Sequence, residues 1–133
     1  MVDPAKCINR VTLLGRATDS INTQDGASGT EFGYFTLVTN HIRRTRNNEL
    51  VRRAEYHRIQ IFIPRLLAKS KLVIDKGSRL LIDGRITYKV RREDDGSQLT
   101  YTNIIANEIV FITGNPLQRD EALEIEDEGN LEA

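Results

Sequence analysis

Apolar and polar residues alternate with a period of two in several short runs along this chain, and that period places successive side chains on opposite faces of a strand. Residues 8–14 (INRVTLL) form one such run, ended by Gly15. Residues 32–39 (FGYFTLVT) form a second, with Tyr34, Thr36 and Val38 on one face and Phe35, Leu37 and Thr39 on the other. Residues 55–63 (EYHRIQIFI) are a third. The period then changes: Pro64 opens PRLLAKSKLVIDKG, where Leu66, Leu67, Leu72 and Val73 predict one helix of roughly two to three turns. Proline is tolerated in a first helical turn, and Gly77 suits the stop. Residues 79–87 return to a strand pattern, and residues 100–112 supply the last strand or pair of strands. DGASGT at residues 25–30 reads as a loop, and REDDGSQ around Asp95 and Gly96 as a hairpin turn.

Five strands with one helix between the third and fourth is the order of an OB-fold, a small, mainly β Greek-key barrel. With 133 residues, 39% of them hydrophobic, the chain can bury a single core. The expected organisation is a flexible extension over residues 1–7, the barrel over 8–114 and a disordered acidic tail over 115–133. No apolar run approaches the roughly 20 residues that cross a bilayer, so no membrane partner is expected. The start, MVDPAKCINR, has neither a secretory apolar core nor the pattern of an amphipathic transit peptide. Import into an organelle would require that a leader has been removed and a Met start added. Cys7 alone, with His41 and His57, offers neither an intrachain disulfide nor metal-ligand spacing, and a reducing compartment is expected. No Gly-rich phosphate loop or His/carboxylate cluster is present, so no cofactor, metal or catalytic residue is assigned and an enzyme is not expected.

The formal net charge of zero conceals an asymmetry. Seven of the nineteen acids fall in residues 120–133, which contain no Lys or Arg, leaving twelve acids against nineteen basic groups and a net of +7 on residues 1–119. Arg43, Arg44 and Arg46, with Arg52 and Arg53, crowd a basic loop, and Lys89, Arg91 and Arg92 lie on the later hairpin. Tyr56 and Phe62 are six residues apart on one strand, hence on one face, with Arg58 between them. Rings for stacking bases and guanidinium groups for phosphates are what an unpaired nucleic-acid strand needs, and neither contact requires a particular base. Plainer readings stand beside these: a solvated face for the arginine loop, core packing for Phe62, and edge solubility for the hairpin cations. Because Asp94 and Asp95 sit at the hairpin tip, contact is expected from its stem. Phe32 and Phe35 are expected in the barrel wall or core. His57 points away from Tyr56 and reads as a neutral, hydrogen-bonded structural histidine.

INRVTLLGR, FTLVTN, EYHRIQIF, KGSRLLIDGRITYK and IIANEIVFI, in that order and spacing over residues 8–112, resemble the single-stranded DNA-binding proteins of bacteria and mitochondria, with the last two blocks closer to the mitochondrial branch. The resemblance implies an OB-fold homotetramer that wraps single-stranded DNA without sequence preference and has no catalytic activity. It implies work beside a replicative DNA polymerase and helicase, in the nucleoid of the mitochondrial matrix. It also implies that Asn9, Val11 and Leu13 pair across a two-fold axis and that His57 lies at a subunit interface. An OB groove by its residues alone admits RNA or a protein partner as well, and only the resemblance points to DNA.

The chain departs from the family pattern in having no tryptophan. Tyr56 stands where Trp is common, and the Arg43–Arg44 pair and Val90 occupy sites where the family tends to have rings. The acidic end lacks the aromatic tip that recruits partners to bacterial relatives, so the tail is expected to compete weakly for the DNA groove.

Overall fold

The structure, a computed structural model, describes residues 5–112. The proposed extension lies partly outside this range and the acidic tail wholly so. Six strands and one helix follow in the order β1 (Val11–Ala17), β2 (Asn22–Asp25), β3 (Glu31–Arg44), β4 (Leu50–Ile61), α1 (Pro64–Val73), β5 (Arg79–Arg92) and β6 (Gln98–Phe111). Neighbours run β1-β5-β6-β4-β3-β2, and a further β1–β3 pairing closes five of them into a barrel. All pairings are antiparallel except β4 with β6. This is the OB-fold order expected from the sequence, with β2 added as a short flap on β3 that the DGASGT loop had hidden.

Alternation decides what the barrel encloses. Phe35 and Leu37 of β3, Ile59 and Ile61 of β4, Leu80 and Ile82 of β5, and Ile104, Ala106 and Ile109 of β6 form one core. In β6 the inward set shifts phase between Ala106 and Ile109, where the β5–β6 ladder is irregular beside Gly84. A bulge of this kind bends a strand around a barrel corner.

Helix α1 stoppers one end. Pro64 sits in its first turn, Leu67 and Ser70 are buried, and the backbone N–H of Ile74 donates to the Ser70 carbonyl at 2.9 Å. The helix ends at Val73, before the expected glycine. Gly77 instead takes φ 91° in the turn into β5, where its N–H donates to the Ala17 carbonyl at 2.8 Å. Leu72, expected on the apolar face, points to solvent at 86% exposure, because Leu67 is the residue aimed at the barrel. Gly33 makes room for it: a Cβ there would strike the Leu67 side chain.

Closure rests on Gly15. β1 pairs with β5 from Val11↔Gly84 to Arg16↔Arg79, then crosses to β3 at Arg16↔Val38 and Ala17↔Leu37. At that crossing a Cβ on residue 15 would run into the Val38 carbonyl. Gly15→Val should therefore cost at least the roughly 1–3 kcal/mol of an overpacked site, because the obstruction is backbone that cannot rotate away. Thr12→Ala, on the exposed side of the same strand, should stay within about 0.5 kcal/mol. Thermal denaturation of the two variants checks the pair, and equal melting points would show that the crossing tolerates a side chain.

Candidate nucleic-acid interface

Both long hairpins outgrow the barrel. The β3–β4 ladder runs unbroken from Gly33↔Ile61 to Arg44↔Leu50. The segment read as a basic loop is thus a β-ribbon with a short turn, in which the Thr45 N–H donates to the Glu49 carbonyl (2.9 Å) and Asn48 takes φ 63°. Beyond the barrel rim neither face of the ribbon meets a core, so arginine is as acceptable as an apolar residue and the hydrophobic alternation fades. The β5–β6 hairpin extends likewise to Arg92↔Gln98.

Register sorts the predicted residues by face. The inward side of β4 is set by Ile59 and Ile61, so Arg58 and Tyr56 face outward, and the ribbon carries Arg52 and Arg44 on the same side. On β5 the inward side is set by Leu80 and Ile82, so Lys89 and Arg91 face outward, opposite Tyr101 and Leu99. The parallel pairing Ile59↔Ile104 joins these two outward sides into one sheet surface. Tyr56 is 69% exposed there. Arg43, Arg53 and Arg92 fall on the opposite side of their ribbons, Arg92 together with Tyr88 and Val90. Arg46 lies in the turn.

Phe62, just past the end of β4, is outside the core and stacks on Phe32, with ring centroids 5.0 Å apart and planes 20° from parallel. Phe32 is 6.4 Å from Tyr34, and the Arg58 guanidinium lies 4.3 Å above the Tyr34 ring. Of the two phenylalanines assigned to wall or core, Phe35 is buried, whereas Phe32 is in the wall and faces outward. FGYF places rings on both faces of the strand, so the outward position of Phe32 and Tyr34 is not evident along the chain.

The interface candidates separate as well. Asn9 extends β1 with its side-chain amide, donating to the Ile86 carbonyl (2.7 Å) and accepting from the Ile86 N–H (3.0 Å). Val11 and Leu13 pack partly against the core, while the β1 edge away from β5 has no strand partner over residues 11–15 among the described residues. His57 is half-buried, and its Nε2 shares a 2.9 Å hydrogen bond with Thr39 Oγ1, in keeping with a structural role. Among the described residues no group of three or more His, Cys, Asp and Glu side chains is placed to hold a metal ion, and no helix is long and apolar enough to cross a membrane.

A closed five-strand barrel with outward rings between two cationic ribbons defines an oligonucleotide-binding OB module. The model of the single-strand binding protein family matches residues 8–112, most of the chain, and the protein belongs to that family. A mitochondrial single-stranded DNA-binding protein of Drosophila melanogaster is 30% identical over 106 residues, covering 80% of this chain and 72% of its own length. The mitochondrial protein 1-B of Xenopus laevis is 30% identical over 115 residues, covering 81% of this chain and 78% of its own. Among solved structures, a Plasmodium falciparum SSB in complex with ssDNA is 25% identical and superposes with a TM-score of 0.75, covering 81% of this chain and 97% of that one.

At the β5–β6 tip, Asp95 Oδ1 accepts from the Ser97 hydroxyl at 2.6 Å and the Ser97 N–H at 2.9 Å. The hydroxyl bond first, and then the backbone bond, hold this carboxyl below the ordinary aspartate value. A depressed folded-state pKa stabilises the turn above the unfolded value, and that stabilisation is lost as pH falls through the folded one. Ser97→Ala should move the Asp95 titration midpoint upward, as read by NMR of its carboxyl carbon. An unmoved midpoint would show that the hydroxyl is not the main cause.

Proposed function

We propose that this protein binds single-stranded DNA without sequence preference through the outward face of β3–β4 and the stem of β5–β6, protecting unpaired strands during mitochondrial DNA replication. The observation that carries the site is the register, which gathers Arg44, Arg52, Tyr56, Arg58, Lys89 and Arg91 on one side of the sheet. Guanidinium and ammonium groups neutralise phosphates while rings stack on bases, a combination indifferent to sequence. Arg43, Arg46, Arg53 and Arg92, off that side or in the turn, serve a strand that wraps around the ribbons. Binding is the whole activity in this reading, and no reaction is assigned. The relatives' mitochondrial names support placement in the organelle, with the matrix nucleoid as the site of action and the replicative polymerase and helicase as neighbours.

Affinity for oligo-dT should fall steeply with salt, with a logarithmic slope of about −0.7 per neutralised phosphate. Tyr56→Ala should weaken dT binding by about 1–3 kcal/mol without loss of thermal stability, since the ring touches no core. Oligo-U and duplex DNA serve as competitors. A salt-independent affinity, or duplex bound as well as dT, would sink the reading.

The assembly proposed is a homotetramer. The open β1 edge would pair with its copy across a two-fold axis, since an unpaired edge is normally covered. On the outer face Leu14, Leu81 and Val110 line up by register across β1, β5 and β6, with Leu14 49% and Val110 45% exposed, and would seat dimer on dimer. Sedimentation at micromolar concentration should return about four times the 15.1 kDa chain mass, and Leu14→Glu should yield a smaller species. A monomeric wild-type chain contradicts this assembly.

A further inference from the structure

Phe32 and Tyr34 belong to no part of the core. They face away from Phe35 and Leu37, and α1 packs on the inner side of β3 through Gly33. An aromatic patch left half-exposed on the outside of a small domain marks a contact surface. Resting on the reading that this face binds single-stranded DNA, we propose that Phe32 and Tyr34, with Phe62 and Arg58, form a second base-stacking platform. It continues the path from Tyr56 across β3 toward β2.

Three observations carry the assignment. First, the groups are contiguous: Phe62 on Phe32 at 5.0 Å, Phe32 beside Tyr34 at 6.4 Å, and the Arg58 guanidinium 4.3 Å above Tyr34. A guanidinium held flat on a ring offers its other face to a base and its edge to a phosphate, and the side chain is ordered before the strand arrives. Second, the strand next to the rings meets them with amides and leaves acids to the ends. Glu31 is paired with Lys71 at 2.6 Å, and β2 sets the amides of Asn22 and Gln24 opposite Tyr34 and Phe32. The acids lie beyond them, Asp25 opposite Glu31 and Asp19, before β2, accepting from the Asn22 amide at 3.2 Å. Third, the chain has no tryptophan, so stacking area has to come from smaller rings, and this is the place where three of its eight rings meet.

The test uses the full chain and oligo-dT carrying 5-iododeoxyuridine, photo-crosslinked and mapped by mass spectrometry. Crosslinks are expected at Tyr34 and at Phe32 or Phe62 as well as at Tyr56. Tyr34→Leu and Phe32→Leu, which keep apolar bulk on the strand, should each weaken dT binding about tenfold, within the range for one stacked base. Crosslinks confined to Tyr56 and the ribbon stems, or unchanged affinity in either folded variant, would overturn the platform and leave single-stranded DNA binding standing. If a variant fails to fold, the wild-type crosslink map decides alone. A wild-type chain that neither binds nor crosslinks dT would remove the functional reading and the platform with it.

Discussion

Everything in this domain depends on β1 serving two partners. Its first residues complete the ladder with β5, and its last two cross to β3, so a five-strand sheet curls shut over one core instead of lying open. The crossing brings the backbone of residue 15 against the Val38 carbonyl, an approach only glycine permits. From the same crossing, Ala17 exchanges hydrogen bonds with the turn after α1, donating to Ser78 at 2.9 Å and accepting from Gly77 at 2.8 Å, so closure and the helical stopper are locked together. Among the described residues the geometry also leaves the earlier part of β1 with one edge unpaired, so barrel closure and an open edge come from one strand.

The enclosed part of each long strand obeys a hydrophobic constraint, and the part beyond the rim is released from it. Leu37 and Ile59 must be apolar because they meet the core, whereas Arg44, Arg52, Lys89 and Arg91 sit on strands paired beyond it, Arg44 also donating to Asn48 Oδ1 across the turn at 3.1 Å. A ribbon under no packing demand can be given entirely to ligand chemistry, while its stem inherits rigidity from the barrel. That division explains why charge accumulates on the hairpins and rings accumulate near the rim.

Much of this was legible along the chain. The barrel portions of β1, β3, β4 and β5 follow from their alternation, which separates the two faces of β3 without choosing between them, the helix from the change of period at Pro64, and the β5–β6 turn from Asp95 and Gly96, because each is a local signal with a local cause. Charge separation between body and tail is a matter of counting. The cationic and aromatic residues likewise pointed to nucleic acid as the class of ligand.

Three-dimensional structure decided what local signals leave degenerate. The arginines around residues 43–53 became strand only through pairing, since a ribbon outside the core has no hydrophobic period to display. Which of those arginines share a side with Tyr56 depends on register, a long-range property in which a slip of one residue exchanges the faces. FGYF offers rings to both faces of β3, and the packing of Leu67 against Gly33 turned Phe35 inward and left Phe32 and Tyr34 outside. Sequence by itself thus determined most of the elements and, through the family resemblance, the class of ligand; only tertiary contacts determined which side chains stand together on one face, because the side of a sheet is chosen by what packs against it.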